Sequence, residues 1–137
     1  MLHSKHITVS ANTSEADRQI TSFKANKGVL HTVWATFPAG CTGLVKFRIL
    51  LDEHPIIPVE KDAYVRGDNF TFIYQPFNEI KVDPARISIE TWSDDDTYDH
   101  DLDFQFNIVN PKWIAPASGT IGITAALRAL FDSSRSK

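Results

Sequence analysis

The sequence predicts an all-β domain, an antiparallel β-sandwich or jelly roll of about seven to eight strands, with a C-terminal arm and a short helix. Three observations predict it. Apolar residues recur at every second position in short runs, the period of a half-buried strand. Turn residues separate those runs at intervals of roughly 8–12 residues. Nine Phe, three Trp and three Tyr supply the aromatic side chains that suit a pleated surface.

The clearest run places Leu102, Phe104, Phe106 and Ile108 on one face and Asp103, Gln105 and Asn107 on the other. It predicts an antiparallel strand with one wet face. Residues 6–9 read as a first strand, and residues 17–24, with Ile20 and Phe23, as a weaker second. Residues 29–37 are partly apolar on both faces, which predicts a central strand. In residues 44–51, Val45, Phe47, Ile49 and Leu51 oppose Lys46 and Arg48. Residues 69–75 bring Phe70, Phe72 and Tyr74 together, and residues 86–93 point Ile87 and Ile89 inward. The segment His54-Pro55-Ile56-Ile57-Pro58 carries two prolines that cannot donate to a ladder, so it is an edge segment or a crossing loop. Trp34 and Trp92 fall in strands and are expected in the core.

The 137-residue chain has the length of one domain, read as a sandwich over residues 1–110 and an arm plus amphipathic helix over 111–137. Residues 110–118 hold two prolines and no alternation, and predict an extended arm. Beyond it, Ile123, Leu127, Leu130 and Phe131 recur at helical spacing over residues 119–131. A helix of that length is marginal alone in water, so its apolar stripe needs a surface to dock on. Trp113 and Ile114 on the arm join that stripe as candidate contacts to a partner or a second copy.

Composition excludes several functions. The formal net charge is −3 and no two basic residues are adjacent, which argues against sequence-specific nucleic-acid binding. The lone cysteine, Cys41, rules out an intrachain disulfide framework. The first ten residues lack the apolar core of a signal peptide, and no run reaches the roughly 20 apolar residues of a membrane span. The predicted helix contains one basic residue, Arg128, which argues against a membrane surface. Five histidines show neither H-x-H nor H-E-x-x-H spacing. No nucleophile elbow, dinucleotide fingerprint or phosphate loop occurs, so the reading is non-enzymatic with no cofactor.

One local feature points to a metal. Asp94, Asp95, Asp96, Asp99 and Asp101, with Asp103 and His100 beside them, offer the oxygen ligands that Ca²⁺ needs. The alternative is a solvated hairpin loop, since the glycine-containing EF-hand pattern is absent. With the tryptophans, this loop supports a second function class, a carbohydrate-binding module that uses Ca²⁺.

The turn Pro38-Ala39-Gly40-Cys41-Thr42-Gly43-Leu44, the segment His54-Pro55-Ile56-Ile57-Pro58 and the turn Arg66-Gly67-Asp68 occur in an order that resembles small β-sandwich structural proteins of phages and other viruses, including capsid decoration and minor capsid proteins. The resemblance covers residues 29–108. It implies a virion component made in the host cytoplasm, which forms a homo-oligomer or docks on major capsid protein. It carries no site residues over to this chain.

Overall fold

A computed structural model describes residues 1–114. Ten strands form two antiparallel sheets packed face to face. The first sheet runs in the order β1 (Leu2–Val9), β10 (His100–Val109), β3 (Gly28–Phe37) and β7 (Phe70–Tyr74), with β8 (Asn78–Ile80) pairing the start of β3. The second runs β2 (Gln19–Ala25), β9 (Ala85–Ser93), β4 (Val45–Leu51) and β5 (His54–Ile57), with β6 (Val65–Arg66) pairing the start of β4. A short 3-10 turn at Glu15–Asp17 leads into β2.

Side-chain alternation builds the core. Strand β10 turns Leu102, Phe104, Phe106 and Ile108 inward, all buried, while Asp103 and Gln105 face water. Strand β4 answers from the other sheet with Val45, Phe47 and Ile49. The Phe47 ring lies 5.0 Å from Phe104 and 5.6 Å from Phe37, so one ring of the second sheet wedges between two of the first. Edge-to-face packing of such rings adds to the area they bury. Strand β3 is central, as its two partly apolar faces predict.

Several expectations need correction. The strands number ten because β6 and β8 have two and three residues, too few to display a period. The two-proline segment agrees with its expectation, since His54–Ile57 form the edge strand β5. Strand β1 begins at Leu2, four residues before the expected start. In β2, Phe23 packs on the core but Ile20 is 59% exposed, because an odd separation places them on opposite faces. Trp92 is buried as expected, but like the half-buried Trp34 it lies outside the inter-sheet core. Each occupies an outward position: Trp34 lies opposite Ile73, and Trp92 opposite Lys46. The acidic loop is no hairpin, since β9 and β10 belong to different sheets and the loop crosses between them. Where an extended arm is expected, Pro111–Ile114 make a helical turn. The remainder of the predicted arm and the helix over 119–131 lie outside the described residues.

Two of the turns noted in the sequence are tied together. The Asp68 carboxylate accepts from the backbone N–H of Gly40 and of Thr42, each at 2.9 Å. Between β6 and β7 the chain passes over aromatic rings at Gly67, where a Cβ would approach Phe72 to 2.8 Å and Phe37 to 3.1 Å. Any larger residue there would displace a core ring.

One core group is unsatisfied. The Thr91 hydroxyl, fully buried opposite Phe47, has no hydrogen-bond partner among the described residues. A buried donor left unpaired costs free energy that an isosteric methyl would not. Thr91→Val is therefore expected to raise stability by about 1 kcal/mol in chemical denaturation, and a loss of stability would show that the hydroxyl is paired.

Candidate functional site

The acidic loop joins the two sheets at one end of the sandwich, and its carboxylates are committed to separate partners. Asp94 pairs with the Lys46 ammonium. Asp95 meets His100 Nε2 at 2.7 Å through one oxygen, and with the other accepts from the backbone N–H of Thr97 at 2.9 Å and of Tyr98 at 3.2 Å. The His100 hydrogen bond, then the backbone donors, hold the Asp95 carboxyl below its ordinary value. Asp96 accepts from the Thr97 hydroxyl. Asp99 accepts from the Ala11 N–H at 2.8 Å, and Asp101 from the Thr8 hydroxyl at 2.7 Å. The loop thus fastens residues 11–13 to the end of β9. Among the described residues, no three His, Cys, Asp or Glu side chains are grouped to hold a metal ion.

The outer face of the second sheet carries a polar network that composition alone does not reveal. Arg48 and Glu90 face each other across β4 and β9, both nearly buried, with Nε and Oε1 2.6 Å apart. Arg18 Nε donates to the same oxygen at 2.9 Å, and Arg48 reaches Glu15 at 2.8 Å. Burial opposes the Arg48 charge, but the hydrogen bonds it donates to Glu15 and Glu90, with their charges, outweigh it and raise its pKa. The Arg48 guanidinium stacks 5.0 Å from the Trp92 ring centroid, and Tyr64 meets Trp92 edge-on at 5.7 Å. Trp92 is 2% exposed under this cover, so no ligand ring can stack on it.

Among the described residues, the outer face of the first sheet is open. A row of Ser4, Gln105, Trp34 and Ile73 crosses four strands, and a second row aligns His6, Asp103, Thr36 and Thr71. His6 Nδ1 lies 2.6 Å from Asp103, and the Thr36 and Thr71 hydroxyls are 2.9 Å apart. The sequence reading missed the His6–Asp103 pair because its members are far apart in the chain. Trp34 is half-buried among these polar neighbours.

Strand β7 ends this sheet. Phe70 is 55% exposed and Ile73 is 63% exposed. Beside β7, toward β5 and β6, an apolar cleft of about 280 Å³ is lined by Ile56, Ile57, Pro58, Val65, Tyr74 and Pro76. Of the contacts expected from the C-terminal region, Trp113 and Ile114 belong to the helical turn. Ile123, Leu127, Leu130 and Phe131 lie outside the described residues.

Cys41 is fully buried, and burial, followed by the nearby carboxylates of Asp68 and Asp95, pushes its thiol up to about 11. That direction opposes nucleophilic activation. No helix among the described residues is long and apolar enough to cross a membrane. The sequence matches no protein-family model and no curated protein.

The open polar row makes a pH prediction. The hydrogen bond to Asp103, then its charge and that of Asp101, raise the pKa of His6. The stability gained from the protonated pair is fully present below the unfolded histidine value, roughly pH 6.5, and is lost as pH rises through the higher folded value. Nuclear magnetic resonance titration should place the His6 midpoint above that of a free histidine. Asp103→Asn should lower it, and an unchanged midpoint in that variant would remove Asp103 as the cause.

Proposed function

We propose that this chain is a non-enzymatic structural or assembly protein, a virion decoration or minor capsid component. It associates with itself or docks on a lattice of major capsid protein. The single observation that carries this reading is the uncharged, aromatic edge strand β7, Phe-Thr-Phe-Ile-Tyr, with Phe70 and Ile73 exposed. Sheet edges on soluble domains are ordinarily blocked by charges, prolines or bulges, because unpaired N–H and C=O groups recruit other strands. A strand left free of these devices is suited to pairing. The polar groups elsewhere are spent on holding the fold: Asp94, Asp95 and Asp99 fasten loops, and Arg48 and Glu90 satisfy each other.

Carbohydrate binding is the second reading, favoured by the outward Trp34. Its cross-strand row of Ser4, Gln105 and Ile73 contains no second aromatic ring, so Trp34 provides one stacking contact in place of a groove.

Light scattering on the purified chain at high micromolar concentration tests the assembly reading. The expected mass is a multiple of the 15.4 kDa chain. A single species at the monomer mass would overturn self-association and leave docking on another protein's lattice as the remaining form of the reading.

A further inference from the structure

We propose that β7 pairs antiparallel with β7 of a second copy of this chain, joining two five-stranded sheets about a two-fold axis at Phe72. The inference rests on the assembly reading and names its surface.

Charge and proline content single out this edge. Among the described residues, every other strand at a sheet margin carries a blocking residue: Lys5 in β1, Lys24 in β2, Pro55 in β5, Arg66 in β6 and Glu79 in β8. Strand β7 has neither charge nor proline among its five residues. In a two-fold interface the same patch meets itself, so any charge in the strand would lie close to its own copy. A strand without charge avoids that repulsion, which suits the edge to a second copy.

The register follows from the strand's own symmetry. With the axis at Phe72, Phe70 of one copy lies opposite Tyr74 of the other, and Thr71 lies opposite Ile73. The inward parity of β7 is wholly aromatic, with Phe70 and Phe72 centroids 4.8 Å apart and Phe72 and Tyr74 stacked at 6.0 Å. Directly opposed side chains share a face of a sheet, so the pairing sets six rings side by side.

The two flanks of the sandwich differ in a way that the pairing explains. On the β1–β2 flank, Phe23 closes the gap between the sheets, stacked on His3 at 4.9 Å, backed by Phe106 at 5.0 Å and covered by Lys5 at 5.5 Å. On the β7 flank Phe72 and Tyr74 from one sheet and Val65 from the other pack against the core, and among the described residues a cleft of about 280 Å³ lined by Ile56, Ile57, Pro58, Val65 and Tyr74 stays open beside them. The partner's Phe70, opposite Tyr74, stands over that cleft. The exposure of Phe70 in one copy and the vacancy beside Tyr74 in the other are complementary halves of one contact.

Two charge-reversed variants test this. Thr71 and Ile73 point outward from the sheet, so charges there leave the core intact. The Thr71→Lys/Ile73→Lys chain brings lysines opposite lysines, and the Thr71→Glu/Ile73→Glu chain does the same with glutamates. In sedimentation velocity, each variant alone should show at least about a tenfold rise in dissociation constant, and an equimolar mixture of the two should reassociate. Ile20→Lys, equally exposed on the opposite flank, should associate as the unmodified chain does. If the unmodified chain associates and both charged variants do so equally well, the β7 pairing is overturned while the assembly reading stands. Weakened variants that fail to reassociate on mixing overturn the pairing too. A monomeric unmodified chain overturns the pairing together with the self-association on which it rests.

Discussion

The fold depends on the wedge of Phe47 between Phe37 and Phe104. Phe47 comes from the second sheet and the other two rings from the first, so this contact sets how the sheets face each other. Each ring is at most 1% exposed, and the neighbouring inward positions of β4, β9 and β10 extend the same apolar layer. Burial of rings of this size is the largest favourable contribution available to a chain with one cysteine and so no intrachain disulfide. Once the inner faces are committed, only outer faces, loops and edges remain for recognition.

Those surfaces divide by how their polar groups are used. The acidic loop and the outer face of the second sheet are internally satisfied. Asp95 has three donors, and Glu90 holds both Arg18 and Arg48. Buried ion pairs of this kind add little net stability compared with apolar packing, but losing one partner strands a charge. Here the network seals Trp92 and pins the Glu15–Asp17 turn onto the sheet. Among the described residues the flank at β7 is open as well, and there backbone groups, aromatic rings and an apolar cleft converge without a covering charge.

Strand identity was legible wherever alternation ran long enough. Leu102, Phe104, Phe106 and Ile108 declare their face in the sequence, and so do Val45, Phe47 and Ile49. The short strands β6 and β8 were not legible, because two or three residues carry no period. Trp92 misled because hydrophobicity marks a residue as buried without saying beneath what; its parity with Glu90, outward on β9, is the signal that places it under Arg48. The acidic loop reads as a cation site in one dimension. Its partners, Lys46, Ala11 and Thr8, come from strands and loops distant in the chain. The lack of charge in Phe70–Tyr74 is visible in the sequence, but its position at a margin depends on long-range pairing order.

The central claim is that this margin is where the molecule meets its own copy. Amide hydrogen exchange across a range of protein concentrations reads it directly, because a paired edge protects N–H groups that a free edge leaves to water. The account predicts that exchange in Phe70–Tyr74 slows as concentration rises, while exchange in β1 and β2 stays unchanged. Exchange in β7 that is independent of concentration, or protection that develops at β1 or β2 instead, would contradict it.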